Sequence, residues 1–138
     1  MQENKRRDFI KSTLMAGLSV GLAGKALASG SQASKISHHV FFWLKNPDSA
    51  EDLKMLIEGI KSLGKIPQVK NLQVGVPAKT PKREVVDNSW DVSELMYFDN
   101  IEDHEKYQIH AIHKAFADNC SPLMEKVLVY DAVTTGQQ

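Results

Sequence analysis

The stretch His38-His39-Val40-Phe41-Phe42-Trp43-Leu44-Lys45 decides how this chain folds. It is dense in branched and aromatic residues and reads as a β-strand. Side chains alternate across a strand, so His38, Val40, Phe42 and Leu44 share one face while His39, Phe41 and Trp43 share the other. Both faces are largely apolar. A strand of an antiparallel sheet that met water on one side would carry polar residues there, so this strand is expected to be covered on both sides.

Downstream, Asn46-Pro47-Asp48-Ser49 is a turn and helix start, with Asp48 or Ser49 as N-cap and Glu51 and Asp52 in the first turn. Leu53, Leu56, Ile57, Ile60 and Leu63 then recur at three and four residues, the mark of an amphipathic helix, which Gly64 and Pro67 end. Val69 to Val76 alternates through Leu72, Val74 and Val76 as a second strand. Residues 77–89 are polar, with Pro81 and the charges Lys82, Arg83 and Glu84, and read as an exposed loop. Trp90 to Phe98 is a third strand. Ile101 to Asn119 is helical, with Ile109, Ile112 and Phe116 on one face, and Glu125 to Val133 is a fourth strand in which Val127 and Val129 alternate with Leu128 and Tyr130.

The order β-α-β-β-α-β predicts the α+β class and a ferredoxin-like fold: a four-stranded antiparallel sheet with two helices on one face. The opposite face is left bare, yet the first and last strands are apolar on both sides. A second copy of the chain is the economical cover, so a homodimer is expected.

The chain of 138 residues has 42% hydrophobic and 25% charged residues, the profile of one soluble domain. Its formal neutrality hides an asymmetry. Five of the 17 basic residues (Lys5, Arg6, Arg7, Lys11, Lys25) and only two of the 17 acidic ones (Glu3, Asp8) lie in residues 1–28, which leaves 12 basic against 15 acidic, net −3, for the remainder. A mildly acidic domain does not fit nucleic-acid binding. One cysteine, Cys120, excludes an intramolecular disulfide; it lies near a helix end and reads as partly exposed and inert.

Residues 1–28 read as a targeting segment: Lys5-Arg6-Arg7-Asp8-Phe9-Ile10-Lys11, then a Gly-rich apolar stretch from Ser12 to Gly24, then Ala26-Leu27-Ala28. The Arg-Arg-x-Phe-Ile-Lys run resembles the twin-arginine signal that exports folded proteins, and it implies a periplasmic location. The apolar stretch spans roughly 13 residues against the about 20 that a membrane helix needs, so no permanent membrane anchor is expected. Residues 29–35 read as a flexible leader and 36–135 as the domain.

Three segments carry a family resemblance: the first strand from His38 to Lys45, the run Tyr107-Gln108-Ile109-His110-Ala111-Ile112-His113-Lys114-Ala115-Phe116, and Val127-Leu128-Val129-Tyr130-Asp131. Its most specific part is Tyr-x-x-His-x-x-His-x-x-Phe, following Phe98-Asp99. Together they resemble the stress-responsive A/B-barrel (Dabb) domain. The resemblance implies a dimeric α+β barrel in which two ferredoxin-like sheets face each other. The family's best understood enzymatic member, a plant polyketide cyclase, works without cofactor through a tyrosine and a histidine that match Tyr107 and His113; the family's first-strand histidine matches His38 and its last-strand aspartate Asp131. Two departures stand out. The residue after the first motif histidine is usually proline and here is Ala111, and a cavity histidine of the cyclase falls at Val92, which argues against the same substrate.

The residues by themselves support acid-base chemistry. Tyr107, His110 and His113 are spaced by three, so neighbours in the series lie on one side of a helix, and a bend near His110 would aim all three at the sheet. His113, oriented by Asp131 or a backbone carbonyl, is the candidate general base, and Tyr107 the hydrogen-bond donor to an enolate oxygen. His38, His110 and Asp131 are supporting candidates. His38, His110, His113 and Asp131 also form a chemically plausible metal set, but His-x-x-His alone is weak, and neither a metal nor a cofactor is expected. His104, among Glu102, Asp103 and Glu105, reads as solvated surface.

The expectation is therefore an exported homodimer whose helix-sheet cavity binds a small apolar or aromatic molecule, with cofactor-independent, cyclase- or lyase-like chemistry. The alternative is a non-catalytic envelope protein for stress protection or interaction, in which Phe42, Trp90, Met96 and Phe116 pack the cavity shut. A third reading is a haem or oxygen-handling dimeric barrel like the related cofactor-free monooxygenases, with which the chain shares the fold but no independent ligand signature. The sequence does not decide whether the chain is an enzyme.

Overall fold

The computed structural model describes residues 35–135. The targeting segment, and all of the leader except Lys35, lie outside the described residues. The domain runs β1 (Ile36–Leu44), α1 (Ala50–Ser62), β2 (Lys70–Gly75), β3 (Val92–Phe98), α2 (Ile101–Ile109), α3 (Ala111–Cys120) and β4 (Met124–Val133), with single 3-10 turns after α1 and α3. The strands form one antiparallel sheet in the order β2-β3-β1-β4, the ferredoxin-like arrangement. Among the described residues no helix is long and apolar enough to cross a membrane.

Alternation in the central strand sorts the two faces as the sequence predicts. Ile36, His38, Val40, Phe42 and Leu44 are buried beneath the helices, and on β3 Val92, Glu94, Met96 and Phe98 join them. His39, Phe41 and Trp43 point to the helix-free face, as do Leu95 and Tyr97 from β3 and Leu128 and Tyr130 from edge strand β4. There Phe41 packs edge-on against Trp90 and Tyr130, and the Lys126 ammonium lies 4.5 Å over the Trp43 ring.

α1 begins where expected: Ser49 is the N-cap, its hydroxyl accepting from the Asp52 amide at 3.1 Å. Leu56 and Ile60 bury its inner face. Gly59 allows α1 to close on α3, because a Cβ at this position would stand 2.6 Å from Cys120 Sγ and 3.2 Å from the Phe116 ring. Cys120 is consequently buried, not partly exposed.

β2 is shorter than its apolar alternation suggests. Asn71, at φ 51°, breaks the register between Lys70 and Gln73, and Val76 lies beyond the strand, exposed. The left-handed backbone at a bulge suits asparagine, whose short amide tolerates it. Trp90 likewise precedes β3, its indole N–H donating to the Asp87 carbonyl.

The second helical stretch departs most from its periodicity. His110 is extended (φ −66°, ψ 143°) and divides it into α2 and α3. The break is held locally: the His110 amide donates to the Tyr107 carbonyl, and its ring Nδ1 accepts from the Ile112 amide at 3.1 Å, making His110 the N-cap of α3. A capping side chain satisfies an amide that helix geometry leaves without a partner. The price of the reorientation is that Ile109, assigned by spacing to the apolar face, is exposed.

Candidate functional site

β1, β3, β4 and the broken helix bring six polar side chains together. The β1-β4 register sets His38 opposite Asp131, and Asp131 Oδ1 lies 2.5 Å from His38 Nδ1. On the other flank of β1, Val40 pairs with Glu94, which places Glu94 diagonally beside His38 on the same face; its Oε1 is 3.7 Å from His38 Nε2. Tyr107, in the last turn of α2, is buried and donates its hydroxyl to the same Glu94 oxygen at 3.5 Å. Beyond the break, in the first turn of α3, the His113 ring lies 4.7 Å from the Tyr107 ring, centre to centre. On a continuous helix these two side chains would diverge; the break at His110 lets them meet.

Of the residues expected at the site, the structure thus joins His38, Asp131, Tyr107 and His113, in altered roles. Asp131 holds His38, not His113. His110 is half-buried and its Nδ1 is engaged as a helix cap, so it does not join the cluster. His104 is a correction in the other direction. Far from being solvated surface, it is about one-fifth exposed, its ring 5.1 Å from that of His38 and 5.2 Å from that of Phe98, with Nε2 4.0 Å from Asp131 Oδ1. Gln108 reaches the same nitrogen at 3.3 Å. Glu94 is the residue that sequence reasoning missed. The signal was there: in the run Val92-Ser93-Glu94-Leu95-Met96 a carboxylate occupies a core-facing position between two buried apolar side chains.

Burial sets the protonation states. Glu94 is pushed up to about 8 by loss of hydration, opposed only in part by the Tyr107 hydroxyl, so at neutral pH it is mainly the uncharged acid. Its second oxygen, Oε2, has no hydrogen-bond partner. Burial also lowers His38, against the pull of Asp131, and lowers His113, so both imidazoles are neutral at physiological pH. Burial and the neighbouring Glu94 raise Tyr107, which stays a phenol and a donor.

These groups meet at the polar end of a cavity of about 220 Å³ between sheet and helices, whose walls are Val40, Phe42, Phe116, Ala117, Val127 and Val129. The cavity is open to solvent on the side of edge strand β4, where Val127 and Val129 are nearly half exposed. Phe42 and Phe116 line it without closing it, Met96 is buried in the core outside its lining, and Trp90 packs on Phe41 at the other face of the sheet, so the four residues expected to seal it do not. A larger depression, about 310 Å³, lies in the polar loop and is lined mainly by exposed polar and charged residues, among them Lys82, Arg83 and Glu84.

Fold and cavity together define a ferredoxin-like α+β domain with a pocket between its sheet and helices. The chain matches the Stress responsive A/B Barrel Domain (Dabb) family over residues 36–134 and belongs to it. Among solved structures it is similar to a Dabb family protein with a ferredoxin-like fold from Mesorhizobium loti (28% identity, TM-score 0.61, covering 75% of this chain and 99% of that one). It is also similar to the hydroxynitrile lyase of Passiflora edulis (19%, TM-score 0.65, 78% and 99%). A third likeness is to a dimeric ferredoxin-like protein of unknown function from Bacteroides fragilis (22%, TM-score 0.58, 72% and 96%). A comparison with curated protein sequences finds no significant match.

Proposed function

We propose that this chain is an exported, periplasmic homodimer whose cavity binds a small apolar or aromatic carbonyl compound and supports cofactor-independent proton transfer of the lyase or cyclase type. The observation that carries the reading is the convergence of Tyr107, His113, His38 and Glu94 at the polar end of an open, apolar-walled cavity. His113, neutral through burial, accepts a proton from the bound molecule. The Tyr107 hydroxyl donates to the oxygen on which negative charge develops; its bond to Glu94 is long at 3.5 Å, so turning to a substrate oxygen costs little. His38, fixed by Asp131, presents Nε2 as a second acceptor, and the uncharged Glu94 adds no buried anion beside Tyr107 that would oppose oxyanion formation.

The homodimer rests on the helix-free face, where Phe41, Trp43, Leu95 and Leu128 are only half-buried in one chain, and on the dimeric state of a protein of the same fold. Export rests on Arg6-Arg7 and the segment that follows; a Lys-Lys replacement of this pair is expected to hold the protein in the cytoplasm on fractionation.

The site is tested by incubating the full chain in D2O with small aromatic ketones and β-diketones and following hydrogen exchange next to the carbonyl by NMR. Wild type is expected to accelerate exchange, His113→Ala to abolish the acceleration, and Tyr107→Phe to reduce it by about 10²-fold, the scale of one oxyanion donor. Absence of any acceleration, or acceleration unchanged in His113→Ala, overturns the catalytic reading.

A further inference from the structure

We propose that His38, His104 and Asp131 form a binding site for one divalent transition-metal ion of the zinc type, on the side of His38 turned away from the cavity. The inference stands apart from the roles given to Tyr107 and His113, but it shares His38 and Asp131 with the cavity, and a metal on Nδ1 would make His38 Nε2 a donor there and not an acceptor.

The donor set comes first. Among the described residues these three are the group whose ligand atoms, one from each, all lie within 4.8 Å of one another. His38 Nδ1 and Asp131 Oδ1 are 2.5 Å apart, and His104 Nε2 is 4.0 Å from the same oxygen. Ligands that share a zinc ion at about 2.0–2.2 Å stand roughly 3.3 Å from each other, and the two distances straddle that value. Asp131 is exposed on edge strand β4 and His104, on α2, keeps about one-fifth of its side chain exposed, so both can turn toward a common point. Two imidazoles and one carboxylate suit zinc, cobalt or iron(II); magnesium and calcium prefer oxygen alone.

Access comes next. A depression of about 190 Å³, lined by Ile36, Ile101, His104, Asp131, Ala132 and Val133, reaches the two outer ligands from solvent. Water arriving by that route completes the coordination of a three-ligand site. The Gln108 amide, 3.3 Å from His104 Nε2, gives way to the ion; it is an exposed contact and cheap to lose.

The buried side of His38 supplies the third argument. A metal-bound histidine normally donates its other ring N–H to a carboxylate. With Nδ1 on a metal, the ring proton must sit on Nε2, which faces Glu94 Oε1 at 3.7 Å. Without a metal, Nδ1 carries the proton toward Asp131, and Glu94 Oε1, which accepts only the long bond from Tyr107, receives nothing from His38. Glu94 thus stands where a small approach would make its Oε1 the outer acceptor of a metallated His38. The site differs from the set that the sequence suggested, because His110 turns away as a helix cap and His104 stands beside His38.

The test titrates the full chain, without a polyhistidine tag and after chelator treatment, with Zn2+ by calorimetry and with Co2+ by visible absorption. One ion per chain is expected, with a Co2+ spectrum of nitrogen and oxygen ligation. His104→Ala and Asp131→Asn should each weaken Zn2+ by more than the about 10–100-fold that loss of an outer partner costs, and Glu94→Gln should weaken it within that range. His39→Ala, on the helix-free face, should leave binding unchanged, and circular dichroism checks that each variant is folded. No stoichiometric binding by wild type, or binding that survives both His104→Ala and Asp131→Asn in folded protein, overturns the proposal.

Discussion

Glu94 Oε1 lies 3.7 Å from His38 Nε2, two buried titratable groups from adjacent strands that face each other without an ion pair forming. Burial drives both toward their neutral forms, the carboxyl upward and the imidazole downward. Removing charges from water is costly, and neutralisation avoids that cost where geometry is not good enough for a bonded pair.

A dependence of stability on pH follows. Glu94 ionises near 4.5 when unfolded and near 8 when folded, so between these values the folded state holds a proton that the unfolded state has released. Its contribution therefore falls as pH rises, by up to about 1.4 kcal/mol per pH unit across that window. Glu94→Gln removes this dependence and should gain on wild type steadily from about pH 5 to about pH 8 in urea unfolding. Parallel stability curves for the two proteins would refute it.

The helix break yields a second expectation. Ala111 is the first residue of α3, and His110 before it already has the extended backbone that a following proline demands. Ala111→Pro should stabilise the protein by about 0.4–1 kcal/mol. His110→Ala, which removes the cap, should cost about 1 kcal/mol, and thermal unfolding measures both.

Helix packing gives a third. Gly59→Ala drives a methyl into Cys120 Sγ and should destabilise by about 1–3 kcal/mol. In Gly59→Ala/Cys120→Ala the sulfur is gone, and the double variant should lose less than the sum of the single losses. Strict additivity would place the strain elsewhere.

The helix-free face gives a fourth. Phe41 sits amid Trp90, Tyr130 and His39 on the surface proposed to meet a second copy. Phe41→Glu should convert a dimer to a monomer in light scattering coupled to gel filtration, with circular dichroism unchanged. A monomeric wild type would contradict the dimer at once.

Much of the fold was legible because it is written in alternation and local chemistry: the two faces of β1, the Ser49 cap and the element order all follow from residue types at fixed spacing. The spacing of Tyr107, His110 and His113 pointed to a bend near His110, but a helical period does not register a side chain that caps the next helix, so His110 was assigned to the cavity and Ile109 to the apolar face. At the site, Tyr107, His113, His38 and Asp131 were visible as residue types, but which partner holds which histidine depends on the register between β1 and β4. His104 was misjudged from its acidic neighbours in sequence, although a spacing of three from Tyr107 puts both on one side of α2. Glu94 was passed over because its strand was read for its apolar residues.

The close approach of Gly59 to Cys120 also makes the molecule its own reporter. Its only cysteine is sealed between two helices, and burial raises the thiol further from its reactive anion. A thiol reagent can label this protein only in molecules whose helices have parted, so the labelling rate under native conditions counts those openings directly, without a probe being added.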